Sequence, residues 1–362
     1  MNFDASVAAI SLIRRGLIVA FCYSGNSCCF PVKVPLFMPA DLPPMFSLTD
    51  AHLLMQQLPA LQFDPSVDCR WVLGDAAQQY LNYYRINFAA QDESIHHGFG
   101  RISAAGFDIA THYWLPPTPR GTLVIIHGYY DHLGIFDHAI AFGLAQGLAV
   151  LAFDLPGHGL SSGERAAIDS FDQYADVLQQ VMARAQALLP APFYALGQST
   201  GGAVLLNHLW RYPAQFARIA LCAPLILPRG WGTGRVFYWL LHHWVKRLPR
   251  GRSRSSQDAS FINFIDERDC LQSKTLSVRW VGAMKAWHRQ FLHFSPRATP
   301  LLVVQGTADK TVAWRYNTRL LQRKLPQAKL VFIPAAGHQL VNEIAAYRDV
   351  VFDEIQRHFF SD

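Results

Sequence analysis

The chain has 362 residues, of which 51% are hydrophobic and 16% charged, so it can bury a large core as one large or two modest globular units. Its six cysteines, Cys22, Cys28, Cys29, Cys69, Cys222 and Cys270, form no C-x-x-C pair and are unevenly spread, which excludes a disulfide framework and reads as reduced thiols of a cytoplasmic protein. A net charge of +6 and a pI near 9.0 suit nucleic acid, anionic lipid or neither, so the placement of the charge has to decide.

Residues 1–46 differ from the rest. Two apolar runs, Ala5 to Ile13 and Gly16 to Cys22, flank Arg14-Arg15, and neither reaches the roughly 18–20 apolar residues of a membrane span. Arg14-Arg15 with the following run has the start of a signal peptide but no clear small-residue cleavage site. The expectation is a disordered extension, with Met38 or Met45 as the working start. From Ser47 the chain becomes regular. Thr49 or Asp50 is placed to cap a helix through Leu58, and Gly74 to Tyr84 has a second helical pattern. Arg101 to Ser103 and Phe107 to Leu115, around Ala105-Gly106, read as a β-hairpin.

After Pro116-Pro117-Thr118-Pro119, strands and helices alternate. Strands are expected at Thr122 to Ile126, Ala149 to Phe153, Phe193 to Leu196 and Arg218 to Cys222, with helices at Phe136 to Gln146, Phe171 to Leu189 and after Thr200. Short strands apolar throughout, alternating with helices, indicate an α/β fold with a mostly parallel sheet covered on both faces. The alternation breaks at Pro228 and resumes at Leu301 to Val304, followed by a helix at Thr311 to Leu325, a strand at Leu330 to Ile333 and a helix at Asn342 to Phe360. The expected organisation is an extension over 1–46, a core over 47–227 and 300–362, and a helical cap inserted over 228–299. Such a cap would lie above the sheet's carboxyl edge, where open α/β sheets bind ligands.

The chemistry gathers at that edge. Gly197-Gln198-Ser199-Thr200-Gly201 follows a strand and opens a helix, the G-x-S-x-G turn that forces its serine into a strained, exposed position. A serine hydroxyl needs a base, and the base an orienting acid, in the chain order Ser, Asp or Glu, His. Asp309 leaves the Leu301 to Gln305 strand in a tight turn, and His338 follows the Leu330 to Ile333 strand, so all three face one edge. An oxyanion needs two backbone N–H donors. Thr200 supplies one at the start of the elbow helix, and Tyr129, in the loop leaving Thr122 to Ile126, is the candidate for the other. His127, Asp131, His132 and His138 do not follow the H-x-H-x-D-H pattern of metallohydrolases, and neither metal nor cofactor is expected.

His127-Gly128-Tyr129-Tyr130-Asp131-His132 resembles the H-G-x-x-E-H oxyanion loop of bacterial lysophospholipases and monoacylglycerol lipases. Asp154-Leu155-Pro156-Gly157-His158-Gly159-Leu160-Ser161-Ser162-Gly163 resembles their D-x-x-G-H-G-x-S-x-G loop. With the elbow, Gly306 to Asp309 and Gly337-His338, the likeness covers roughly 98–362 of this α/β-hydrolase family, whose profile is also labelled serine aminopeptidase. The resemblance implies Ser199 as nucleophile, Asp309 as acid, His338 as base, Tyr129 and Thr200 as oxyanion donors, and His127, Gly128, Asp154 and His158 as loop-forming support. The chain departs from the family at the elbow, G-Q-S-T-G for G-H-S-M-G, and at Tyr129, which replaces a small residue; both alter the pocket's shape.

The expected cap joins Trp231, Phe237, Tyr238, Trp239, Leu240, Leu241 and Trp244 to seven basic residues, Arg229, Arg235, Lys246, Arg247, Arg250, Arg252 and Arg254, with no acidic residue between 229 and 254. One reading is a packed helix with a solvated basic end. The other is an interfacial segment whose aromatics enter lipid while its cations meet anionic head groups, a peripheral contact at the inner membrane. No nucleic-acid motif accompanies the charge. The expected activity is a serine carboxylic ester hydrolase on a lysophospholipid or monoacylglycerol. The alternatives are a general carboxylesterase, a silent lipid-binding module, and a proline-type aminopeptidase whose acidic cap residue would be Asp258, Asp266, Glu267 or Asp269.

Overall fold

A computed structural model describes residues 45–64, 74–251 and 254–360. The extension up to residue 44, the cysteines at 22, 28, 29 and 69, and Arg252 lie outside the described residues, as do the side chains of Phe237 and Leu241. Cys222 and Cys270 are free thiols. The described chain runs α1 (Leu48–Gln57), α2 (Gly74–Tyr83), a short α3 (Phe88–Gln91), β1 (His96–Ala104), β2 (Phe107–Leu115), β3 (Thr122–Ile126), α4 (Asp137–Ala145), β4 (Ala149–Phe153), α5 (Phe171–Ala185), β5 (Phe193–Gln198), α6 (Thr200–Arg211) and β6 (Arg218–Cys222). It continues through α7 (Trp231–Leu241), β7 (Arg247–Pro249), α8 (Ala259–Asn263), β8 (Thr275–Ser277), α9 (Val278–His293), β9 (Leu302–Gly306), α10 (Trp314–Lys324), β10 (Lys329–Ile333) and α11 (Ala345–Phe360).

Eight strands form one sheet in the order β1-β2-β4-β3-β5-β6-β9-β10. β2 pairs antiparallel with both β1 and β4, and every other pairing is parallel. Alternate strand side chains point to opposite faces, which divides the core into two layers. Leu123, Ile125, Leu196 and Val304 pack with α4, α11 and the N-terminal helices, whereas Val124, Ile126, Ala195 and Val303 pack with α5, α6, α9 and α10. The register sets Ile126 beside Gly197, Gln198 beside Cys222, Cys222 beside Val304 and Gly306 beside Ile333. Five parallel strands therefore end level, and their outgoing loops meet above one edge.

Three details differ from the sequence reading. The cap of α1 is Ser47, whose Oγ accepts from Asp50 N while the Asp50 carboxylate accepts from Ser47 N. Asp50 is thus the third residue of a capping box and not the cap. Phe46, placed by the sequence at the end of the extension, is fully buried against Tyr80, Tyr83 and Tyr84. The stretch 228–299 is also not wholly helical, because β7 and β8 pair as an antiparallel ribbon. Residues 59–61 lie along the outer edge of β1, with Arg101 N donating to Pro59 O and Leu61 N to Arg101 O, which covers one exposed sheet edge. Among the described residues no helix is long and apolar enough to cross a membrane. Phe46→Ala is expected to destabilise the fold by about 3–5 kcal/mol, because it empties a fully buried aromatic site. Chemical denaturation would check this, and a change under about 1 kcal/mol would mean that the packing at Phe46 is loose.

Candidate active site

Ser199 sits between β5 and α6 at φ 53°, ψ −111°. This left-handed turn is imposed by its surroundings: Ser199 N donates to Cys222 O at 2.9 Å, and its own carbonyl accepts from Leu225 N at 2.9 Å. A Cβ on Gly201 would stand 2.0 Å from Ile126 O, so only glycine lets α6 pack this close to the end of β3. The elbow then aims the Ser199 hydroxyl at His338.

His338 Nε2 lies 2.9 Å from Ser199 Oγ, and Nδ1 lies 2.8 Å from Asp309 Oδ2. A carboxylate can only accept, so Nδ1 carries the proton and Nε2 is free to take one from the serine. Asp309 accepts four donors: His338 Nδ1 and Gln305 Nε2 on Oδ2, Thr311 N and Val312 N on Oδ1. Burial works against its charge, but the His338 charge and these hydrogen bonds outweigh burial and hold its carboxyl below the usual range. Burial likewise works against a charged His338. The Asp309 carboxylate, with Asp131 behind it, outweighs that and raises the imidazole above its ordinary value of 6.5.

The loop 127–132 closes over the serine. A Cβ on Gly128 would approach Ser199 Cβ to 3.3 Å, which brings this loop's backbone against that serine. Thr200 is the first residue of α6, where an N–H has no partner within the helix and is available to an anion. The Tyr129 side chain is used in the wall of the site: its hydroxyl donates to Ala166 O at 2.8 Å and accepts from Ser277 N at 3.2 Å, and its ring stacks on Trp280 at 3.8 Å. The bulky residue therefore ties the loop to the start of α9. His127 Nδ1 donates to Gly128 O at 2.7 Å, while Nε2 accepts from Leu155 N at 2.8 Å. Asp154 accepts from Leu133 N and Leu160 N, and His158 Nδ1 donates to Pro156 O. His127 thus joins the 127–132 and 154–163 loops, Asp154 ties the latter to Leu133, His158 braces its own loop, and none of the three contacts the serine–histidine pair in the hydrogen-bond network. Among the described residues no group of three or more His, Cys, Asp or Glu is placed to hold a metal ion.

Several residues that sequence reasoning did not single out hold the site. Gln198 Nε2 donates to His338 O, Gln305 Nε2 to Asp309 Oδ2, and Gln339 Nε2 to both oxygens of Asp131. Ser255 O accepts from His338 N and Gln339 N, both at 2.8 Å, and the buried Glu343 accepts from Gly337 N and Gln257 N. The histidine loop is thus bonded to the 255–257 segment. Of this set only Gln198 carries a sequence signal, as the elbow's departure from the family pattern.

The acids considered for an α-amino group are otherwise engaged or outside the core. Asp269 is buried, accepting from His132 Nε2 and Tyr84 Oη at 2.9 Å each, and Asp258 caps α8. Asp266 and Glu267 are exposed. Of the seven basic residues, Arg247 forms an ion pair with Glu164 at 2.7 Å and is not free for a lipid surface, whereas Arg229, Arg235, Lys246 and Arg254 are exposed.

With the fold and this geometry in view, comparison with known proteins is direct. The family model described as serine aminopeptidase, S33, matches residues 117–345. The chain belongs to this family. It is 29% identical over 268 residues to the monoglyceride lipase of Homo sapiens, covering 70% of this chain and 87% of that protein. Among solved structures it is similar to the monoacylglycerol lipase of Paleococcus ferrophilus, with a TM-score of 0.59, 19% identity, and coverage of 69% of this chain and 97% of that one. It is also similar to a soluble variant of monoglyceride lipase from Saccharomyces cerevisiae, with a TM-score of 0.61, 16% identity, and coverage of 72% and 94%. The chain is a serine hydrolase with the α/β-hydrolase fold.

Neutral His338 is the form able to accept the serine proton, so kcat/KM is expected to rise with pH through a midpoint above 6.5. Gln305→Leu removes a donor from Asp309, leaves its carboxylate more basic and stabilises the imidazolium further. The acid limb should therefore move to still higher pH. A pH–rate profile of the variant with an unmoved or lowered acid limb would contradict this role for Gln305.

Proposed function

We propose that this serine hydrolase cleaves the ester of a single-acyl-chain lipid, a lysophospholipid or monoacylglycerol, with Ser199 as nucleophile, His338 as base and Asp309 as the orienting acid. The observation that carries the reading is the unbroken relay from Ser199 Oγ through both nitrogens of His338 to Asp309. His338 Nε2 takes the hydroxyl proton as Oγ attacks the ester carbonyl, and the N–H groups of Thr200 and Tyr129 stabilise the oxyanion. The tetrahedral species collapses when His338 returns the proton to the leaving alcohol. A water, deprotonated by His338, then attacks the acyl-enzyme and releases the fatty acid.

Residues 228–299 act in this reading as the cap, and the lipid substrate follows from what the segment presents. Ser199 is 7% exposed and His338 5%, so an ester has to enter a recess to reach them. The α7 face carrying Val236, Trp239 and Leu240 is open to solvent, and Trp244 beyond it is 85% exposed. Residues at this spacing share one helix face, and an apolar face flanked by the exposed cations Arg235 and Lys246 suits peripheral contact with an anionic lipid surface. The monoglyceride lipase names of the relatives support the same substrate class.

Ser199→Ala is expected to abolish hydrolysis of lysophosphatidylcholine and monoacylglycerol while thermal unfolding stays near wild type; turnover close to wild type would remove Ser199 as nucleophile. Asp309→Asn should lower kcat by roughly four orders of magnitude. Turnover confined to a prolyl-arylamide would instead favour the aminopeptidase branch. Binding to anionic vesicles should weaken with added salt and on replacing Trp239 and Trp244 by Ala. Salt-independent association would contradict the electrostatic part of the membrane contact.

A further inference from the structure

We propose that the Arg250 guanidinium, beside the oxyanion loop, is the subsite for the phosphate of a lysophospholipid head group. The inference rests on the serine-esterase reading and narrows its substrate class from single-chain esters in general to those carrying a phosphodiester.

Arg250 directly follows β7, with its N–H donating to Lys274 O, so its backbone is fixed by the ribbon. Its guanidinium carbon lies 4.2 Å from the centre of the Tyr130 ring, and Nη1 is bonded to Gln272 Oε1. Tyr130 immediately follows Tyr129, the proposed oxyanion donor, and stands at φ 71°, a conformation that a non-glycine residue keeps only where its surroundings over-determine it. The oxyanion loop thus carries the aromatic platform on which the guanidinium rests.

Two neighbouring arginines are held in ion pairs, and Arg250 is not. Arg247 pairs with Glu164, and Arg279 with Glu164 and Asp169. Among the described residues no carboxylate lies within ion-pair distance of Arg250. Asp131 interacts with it only through the field, beyond contact distance, and directs both carboxyl oxygens at Gln339. Arg250 is half-buried, in contrast to the exposed Arg229, Arg235, Lys246 and Arg254. A tyrosine face offsets part of the lost hydration, and an anion would offset the rest. With one N–H on Gln272, the remaining donors form a planar fork that matches a phosphate's oxygens.

Tyr130 is the chain neighbour of Tyr129, so the guanidinium and the proposed oxyanion donor belong to one short loop. In a lysophospholipid only the glycerol separates ester from phosphate, whereas a monoacylglycerol offers a neutral hydroxyl in the phosphate's place.

The test uses the full chain with monomeric 1-octanoyl-lysophosphatidylglycerol and 1-octanoylglycerol, which share one acyl chain. In Arg250→Met, the ratio of kcat/KM for the lysophospholipid over the monoacylglycerol should fall about tenfold, mostly through KM, and Arg250→Lys should restore part of it. An unchanged ratio overturns the proposal. Wild type supplies a second measurement that needs no variant to fold: glycerol 3-phosphate should inhibit hydrolysis of a short p-nitrophenyl ester competitively where glycerol does not. Equal inhibition by the two overturns the subsite, and inhibition by inorganic phosphate as strong as by glycerol 3-phosphate overturns the head-group assignment. Fluorophosphonate labelling separates the two levels: lost labelling reports a damaged serine site, whereas intact labelling with a shifted ratio reports Arg250.

Discussion

The rest of the site depends on one backbone constraint, the left-handed turn at Ser199. An L-residue at φ 53° is strained, and the turn persists because the end of β6 bonds its N–H and Leu225 bonds its carbonyl. Close approach of α6 to β3 at Gly201 fixes the start of that helix at the same time. The hydroxyl and the Thr200 amide therefore share one rigid origin, so the other groups of the site need only reach it. The level carboxyl ends of β3, β9 and β10 bring them there, one loop per strand.

Residues 228–299 differ in how firmly they are held. Ser255 and Gln257 are bonded to the histidine loop, Ser277 to Tyr129, and Asp269 to His132 and Tyr84. The Asp269–His132 pair is fully buried. Burial opposes both charges, but their mutual attraction outweighs it, raising the histidine and lowering the acid. Breaking a buried pair of this kind strands a charge in an apolar setting, which resists separation of 264–271 from the 127–132 loop. α7 has the opposite character, with Val236, Trp239 and Leu240 facing solvent. The stretch that exposes apolar side chains and the stretch that supports the site are thus different parts of the same segment.

Much of this was legible in the sequence, for a physical reason. Parallel strands buried on both faces read as apolar runs, and the runs that lead to Ser199 and Asp309 stop at a glycine, Gly197 and Gly306. Ser199, Asp309 and His338 could be named from chain order because topology alone converts strand ends into neighbours. The glutamines could not. Gln198 and Gln339 act through amide donors whose partners are far away in sequence, Gln305 reaches Asp309 only through the turn that follows β9, and no spacing marks such contacts. The pairing of Arg247 with Glu164 was hidden for the same reason, so a run of seven basic residues looked like one uniform patch. β7 and β8 are three residues each, too short for a period-two pattern, whereas the Ser47 cap was readable in the Ser-x-x-Asp box at 47–50.

The central claim is that Ser199 is made nucleophilic by His338 within this relay. The most direct measurement is the rate of covalent labelling by a fluorophosphonate across pH, with the adduct located by peptide mass mapping. The account predicts a single adduct on Ser199 whose rate rises as His338 loses its proton, through a midpoint above 6.5. Labelling at another residue, or labelling of Ser199 at a rate indifferent to that ionisation, would contradict it.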